Sequence, residues 1–179
     1  MACISKLASA IAHNCDSGAA GLVSAVIINK ADIASFTVAA GGTVSKLTLV
    51  SGAKAYKIDT VKRSLVLSTA LKVNDGAPNA FTHTATLTDM TPATSGTHFN
   101  ISSAMSNGSF VIISRPVGGT SATVNGLYYG MSATAFDQNS HENGAWSTIT
   151  LETPESVIGE DNLSMSSADY SALYEAAVG

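Results

Sequence analysis

Apolar and polar residues alternate along most of this chain, a pattern that predicts β-strands. Runs rich in β-branched residues cover Leu22–Ile28, Ile33–Val38 and Ser109–Ser114, and turn-forming residues end each run. Further strands are predicted at Val44–Leu49, Tyr56–Val61, Leu65–Val73 and Trp146–Leu151. Phe81–Asp89 alternates strictly, with four threonines on one face and, on the other, Phe81, His83, Ala85 and Leu87. This is the pattern of a strand with one buried face.

Helical spacing occurs in three short segments. Apolar residues recur every three or four positions in Ile4–Ile11, and His98–Ser106 has a similar spacing. Ala168–Val178 is preceded by Ser166, which with Asp169 forms the pattern of a helix N-cap. No strand–helix–strand rhythm of about 30 residues is present. The predicted fold class is therefore mainly β: an antiparallel β-sandwich or barrel of two sheets, with one flanking α-helix and short terminal helices.

The connections carry their own turn chemistry. Asn125-Gly126 is predicted to be the type I′ turn of a hairpin, because both residues tolerate a positive φ. Phe136–Gly144 is polar and is predicted to be a long loop. The predicted organisation is one β-sandwich domain at residues 1–155, with a leader at 1–20, followed by an acidic C-terminal arm at 156–179 that includes a possible helix.

Charged residues are few, and their signs are divided along the chain. Only 12% of the residues are charged, against a usual share of roughly 25%. All nine Lys and Arg residues lie at or before Arg115, so residues 1–115 carry a formal charge of +4 and residues 116–179 a formal charge of −8. Either the basic part of one copy contacts the acidic part of an identical neighbouring copy, or the acidic third is solvated.

Two cysteines and a short apolar leader indicate the cellular compartment in which the chain is expected to reside. A helix between Cys3 and Cys15 would hold them about 18 Å apart, too far for a disulfide, so we expect free thiols. Leu7–Ala12 is too short for a signal-peptide core, and no apolar run approaches the roughly 18 residues of a membrane span. We expect a chain that is made in the cytoplasm, is not exported and has no membrane partner.

No motif for catalysis or cofactor binding occurs in the sequence. It lacks a Gly-x-Ser-x-Gly elbow, a phosphate-binding loop with Lys, Cys-x-x-Cys and His-x-x-x-His. His83 is expected to be a hydrogen-bonded core residue, and His141 beside Glu142 is not expected to bind metal or to act in acid–base chemistry. Basic residues are too sparse for a nucleic-acid groove. We therefore expect no enzyme, no metal and no cofactor.

The order of features over residues 15–155 is more informative than any single motif. The segments are, in order, Cys15–Gly21, Val26–Asp32, Gly52–Tyr56, Phe81–Thr84, Phe99–Ser106, Phe110–Pro116, Val124–Met131 and Gly144–Glu155. They include an apolar strand that ends in Arg-Pro and a final Gly-x-Trp-x-x-Ile-Thr-Leu-x-Thr-Pro-Glu strand. In this order they resemble the major tail (tail tube) proteins of tailed bacteriophages, particularly phages of Bacteroidetes.

The resemblance implies a structural virion protein that assembles with itself. Six copies would form a ring whose inner strands close a β-lined channel, and rings would stack head to tail into a tube that contacts other tail proteins at its ends. DNA would pass through without specific binding, which a neutral or acidic lumen favours. Acidic side chains of the C-terminal third are then candidates for an inter-subunit or lumen surface: Asp137, Glu142, Glu152, Glu155, Glu160 and Asp161.

Other functions stay open at this point. The segment after Pro154 is longer than the family pattern requires, which also suits a capsid-decoration, tail-end or fibre-base protein. An exported β-sandwich module that binds carbohydrate or another surface is the third alternative. Because residues 156–179 follow the last predicted core strand, we expect their deletion to impair assembly more than folding.

The charge division yields a prediction about salt. If oppositely charged parts of neighbouring copies meet, assembly should weaken steeply between low and moderate salt, because exposed charges are screened within about 10 Å at 0.1 M. Sedimentation of the assembled protein across a salt series measures this. Assembly that is indifferent to salt would mean that β-pairing and apolar contacts hold the copies together.

Overall fold

A computed structural model describes residues 21–60, 64–73, 75–76, 79–89, 96–138, 146–154 and 163–179. Within these ranges lie eleven strands and two α-helices, which confirms the predicted mainly β fold. The strands are β1 (Leu22–Asn29), β2 (Ile33–Ala39), β3 (Thr43–Leu49), β4 (Tyr56–Ile58), β5 (Leu65–Lys72), β6 (Ala80–Asp89), β7 (Ser109–Pro116), β8 (Ser121–Asn125), β9 (Met131–Gln138), β10 (Ser147–Glu152) and β11 (Leu163–Ser166). The helices are α1 (Gly96–Asn107) and α2 (Ser167–Ala176).

The eleven strands are hydrogen-bonded into one mixed network, and β7 divides it into two sheets. The larger sheet runs β2-β3-β11-β8-β7, with β1 on the other edge of β7 and β4 beside β1. The smaller sheet runs β9-β10-β6-β5 and joins β7 through a two-residue ladder at the start of β9. The ladders between the named strands are antiparallel except for β11 against β3. The path ends at β2 and β5, so the described strands form an open network rather than a closed barrel.

Strand β7 is buried on both faces. Val111 and Ile113 belong to a first core, to which α2 also contributes. Phe110 and Ile112 belong to a second core, which the smaller sheet and α1 complete. Because both faces are covered, β7 needs no alternating polar positions, which explains the apolar run in the sequence.

The last strand of the fold is β11, which the sequence analysis does not predict. It lies between β3 and β8 in the larger sheet. Leu163 and Met165 of β11 and Tyr170 of α2 are buried in the first core. The expectation that residues 156–179 follow the last core strand is therefore wrong for residues 163–179, the described part of that segment.

Helix α2 confirms the prediction of a capped C-terminal helix. Ser166 Oγ accepts a hydrogen bond from the Asp169 backbone N–H at 3.1 Å. Tyr170, only 2% exposed, donates its hydroxyl to Ser24 Oγ at 2.8 Å. This hydrogen bond ties α2 to β1 across the first core.

The predicted Asn125-Gly126 hairpin is wrong. Strands β8 and β9 lie end to end on one edge of β7 instead of pairing with each other. The intervening turn is closed by a hydrogen bond of 2.8 Å from Gly130 N–H to Gly126 O. Leu127, which is 0% exposed in the first core, draws this turn inward. Gly126 has a φ of 79°, and a Cβ there would lie 2.7 Å from Met131 Cγ, so the turn requires glycine.

The predicted loop Phe136–Gly144 begins later than expected. Its first three residues belong to β9, where Phe136 pairs with Ile149 of β10. Pairing with a neighbouring strand decides this conformation, and local polarity does not reveal it. The rest of the loop lies outside the described residues, together with the leader at 1–20 and its cysteines, Cys3 and Cys15.

Contrary to the expectation from the sequence, deletion of residues 156–179 is expected to prevent folding, because the chain loses β11, α2 and their buried side chains. Removing a large buried side chain costs about 2–5 kcal/mol, and a whole domain is stable by only about 5–15 kcal/mol. Far-UV circular dichroism and urea denaturation of the truncated and full-length chains measure the effect. A truncated chain with an unchanged free energy of unfolding would contradict it.

Tyr170 gives the fold an alkaline pH dependence. Burial raises the pKa of its hydroxyl above the ordinary value of 10.0, against the lowering effect of the hydrogen bond to Ser24. The unfolded chain therefore ionises first, and this contribution to stability is present below about pH 10 and lost as the pH rises further. Tyr170→Phe should reduce that loss, at a cost of about 1 kcal/mol near pH 7 from the missing hydrogen bond.

Urea denaturation between pH 8 and pH 11 checks this, with Tyr129→Phe as the control because Tyr129 is 51% exposed. Equal alkaline losses in the original chain and in Tyr170→Phe would refute the role of Tyr170.

Candidate functional site

Two of the six acidic candidates fall within the described residues. Asp137 is exposed on β9, and Glu152 is half-buried at the end of β10. Asp137 pairs with Thr148, and both Thr148 and Glu152 alternate with buried residues of β10. Both carboxylates therefore lie on the face of the smaller sheet that points away from the second core. The remaining candidates lie outside the described residues: Glu142, Glu155, Glu160 and Asp161.

The two described carboxylates do not form a cluster. Asp137 pairs with Thr148 and Glu152 pairs with Ser132, at opposite ends of the ladder between β9 and β10. At about 3.3 Å per residue, the interval from position 148 to position 152 separates them by about 13 Å. One cation cannot contact both. Within the described ranges, no three His, Cys, Asp or Glu side chains are grouped so as to hold a metal ion.

Threonine hydroxyls cover the same face of the smaller sheet. Thr88 pairs with Thr148 and Thr86 with Thr150 across β6 and β10. The strict alternation of Phe81–Asp89 predicts the threonines that β6 contributes to this surface. We call it the threonine face and define it by Thr82, Thr84, Thr86, Thr88, Thr148 and Thr150.

Charge is confined to the margins of the threonine face. Lys72 at the end of β5, Asp137 and Glu152 are the charged residues that the four described strands place on this side. Asp89 faces the opposite way, and its Oδ2 lies 3.0 Å from His98 Nδ1 of α1. The middle of the face is therefore neutral and rich in hydroxyl groups.

Both lateral edges of the smaller sheet are open among the described strands. Strand β5 pairs with β6 only, and β9 pairs with β10 and, through its first two residues, with β7. Residues 68–71 of β5 and residues 134–138 of β9 are exposed. Neither stretch contains a proline, and the β5 stretch contains no charge. An edge of this kind is a template for a strand from another molecule.

His83 braces the β5 edge from the core side. Its side chain is buried, and its Nδ1 lies 2.9 Å from Thr69 Oγ1 of β5. Its backbone N–H donates to Thr153 Oγ1 at 2.9 Å, and the Thr153 N–H donates to the His83 carbonyl at 3.0 Å. The prediction of a hydrogen-bonded core histidine is confirmed. These contacts hold β5, β6 and the end of β10 as one unit.

A hollow of about 290 Å³ lies beside β5, between the two sheets. Leu22, Leu67 and Leu163 contribute apolar walls. Its floor includes Ser114 and Thr123, whose hydroxyl oxygens lie 2.9 Å apart and bond to each other. The lining comes from five strands spread between residues 22 and 163, so sequence patterns contain no signal for it.

In the part of the chain that the structure describes, no helix has the length and apolar character needed to cross a membrane. Comparisons with protein-family models, curated proteins and solved structures found no match for this chain.

Proposed function

We propose that this chain is a structural subunit of a bacteriophage tail tube. Copies join side by side through the open edges of the smaller sheet and form a ring, and rings stack head to tail into a tube that conducts DNA. The observation that carries the proposal is the pair of open edges on the two sides of one four-stranded sheet. The stacking of rings is taken from the family resemblance of the sequence.

The two edges are suited to pairing with each other. The smaller sheet has four strands, and each runs antiparallel to the next. Strands β5 and β9 therefore run in opposite directions, so β9 of one copy continues the antiparallel pattern beside β5 of the next. A contact between two different surfaces, repeated around an axis, closes into a ring when the rotation permits.

Exposed apolar side chains on β5 support the same contact. Val66 is 47% exposed and Leu71 is 55% exposed. Edge strands of monomeric proteins are normally protected by charges, prolines or bulges. Each large aliphatic side chain contributes about 1.5–3 kcal/mol when fully buried, so covering part of these two favours association.

The division of charge separates the two edges. Strand β5 belongs to residues 1–115, with a formal charge of +4, whereas β9 belongs to residues 116–179, with a formal charge of −8. Lys72 ends β5, and Asp137 lies on β9. The two edge strands therefore carry opposite charges, which favours pairing of β5 with β9 over pairing of two identical edges.

The threonine face then lines the ring. Six copies, the number that the resemblance implies, supply about 24 strands, more than the 16–18 strands that enclose an aqueous channel in porins. DNA binds proteins chiefly through Lys and Arg contacts to its phosphates, and Lys72 is the one such residue that the described strands place on this face. A hydroxyl-rich wall therefore lets DNA pass without holding it.

Lysines on the β5 edge test the contact. In the variant Val66→Lys with Ala70→Lys, charges at two exposed positions of the edge should prevent pairing and leave folded monomers. The matched control is Ala34→Lys with Thr37→Lys on β2, at the opposite end of the strand path, where both residues are exposed. Negative-stain imaging at high protein concentration shows rings or tubes, and circular dichroism shows whether each variant is folded.

Rings from the original chain and the β2 variant, but not from the folded β5 variant, are the expected result. Normal rings from the β5 variant would exclude this edge as the contact. Persistent monomers of the original chain, at every concentration tested, would overturn the proposed function.

A further inference from the structure

We propose that Phe136 of one copy seats in the hollow beside β5 of the next copy. The occupant of the hollow is thus a second copy of this chain, and Phe136 is the apolar anchor of the contact between them. The inference rests on the ring contact proposed above and names the residues that give it affinity.

Phe136 lies on the open edge of β9 with its side chain on the core side of the sheet. It pairs with Ile149, which is buried in the second core, and cross-strand partners share a face. Its side chain is 43% exposed. It is the one large apolar residue between Ala133 and Gln138. Exposed aromatic residues of this kind are the usual anchors of protein interfaces.

The hollow opens on the same side of the sheet. Leu67 and Thr69 line it, and they pair with Ala85 and His83, which are buried on the core side of β6. When β9 of the next copy pairs beside β5, the residues on the core side of that β9 face the hollow. The residues on its other side continue the threonine face. The hollow of about 290 Å³ also has room for the phenyl group of Phe136, since an apolar cavity of roughly 150 Å³ accepts benzene.

Phe136 reaches the hollow when the contact between copies is staggered. With no stagger Phe136 would lie opposite Leu65, because both are level with Leu87 of β6. Closing a sheet tilts its strands and staggers the register. A stagger of two or four residues in the direction of the hollow places Phe136 opposite Leu67 or Thr69. An odd stagger is excluded, because it would turn Phe136 to the threonine face.

The direction of the two outer strands is the reason to choose a second copy as the occupant. Strand β9 carries Phe136 on an edge without a strand partner, and it runs in the direction that continues the antiparallel pattern beside β5, which borders the hollow. The same chain thus supplies both the hollow and an exposed aromatic side chain on the strand that would pair beside it.

Disulfide trapping tests the contact between copies. In a chain with Cys3→Ser and Cys15→Ser, Phe136→Cys is combined with Thr69→Cys or, separately, with Leu67→Cys. Within one copy the two positions are three strand spacings apart, about 14 Å, which exceeds the roughly 7 Å limit between Cα atoms of a disulfide. A bond can therefore form only between copies. Mild oxidation of assembled protein should give a ladder of covalent multimers on a non-reducing gel.

The matched control replaces Phe136→Cys by Phe99→Cys, because Phe99 is 71% exposed on α1. This pair should remain monomeric on the gel. If rings form but neither Phe136 pair gives multimers, the seating of Phe136 is wrong and the tube proposal stands. If the cysteine-free chain forms no rings at any concentration, the tube proposal is wrong and this inference falls with it.

Truncation of the anchor gives a second measurement. Phe136→Ala should raise the protein concentration needed for assembly at least about tenfold, while Phe99→Ala should leave it unchanged. Equal thermal unfolding curves for the monomeric variants separate this effect from loss of the fold. An unchanged assembly concentration in folded Phe136→Ala would overturn the inference.

Discussion

Burial of β7 on both faces is the constraint on which the rest of the structure depends. Val111 and Ile113 face one core while Phe110 and Ile112 face the other, so this strand joins the two layers. Strand β1 occupies one of its edges, and β8 and β9 divide the other. The middle of a strand enclosed in this way is apolar from Phe110 to Ile113, and its buried polar residue, Ser114, is hydrogen-bonded to Thr123.

The same arrangement leaves the smaller sheet attached along a short ladder only. Because β9 meets β7 through two residues, the rest of β9 has no partner on that side among the described strands. Strand β5 is the other end of the path. The sheet buries one face in the second core and presents hydroxyl groups on the other. On each side it ends in a strand whose outer edge has no strand partner over most of its length among the described residues, and α1 packs against β9.

The acidic third of the chain is not one surface. Strand β11 and α2 place apolar side chains of this third in the first core. Asp169 is hydrogen-bonded to Ser166, the N-cap of α2, through its backbone N–H and its carboxylate. Asp137 and Glu152 lie at opposite ends of one ladder. On the two outer strands of the smaller sheet, β5 carries one basic residue, Lys72, and β9 carries one acidic residue, Asp137.

Sequence alone determined the features that depend on neighbours along the chain. Alternation in Phe81–Asp89 predicted a strand with a buried histidine and a threonine face, and Ser166 with Asp169 predicted the cap of α2. Tertiary structure decided the rest. Leu127 turned the expected hairpin inward, β11 entered the larger sheet, and the hollow and the open edges arose between strands far apart in sequence. Local patterns report which residues are buried, but strand partners and unpaired edges follow from contacts between distant segments, which no local pattern encodes.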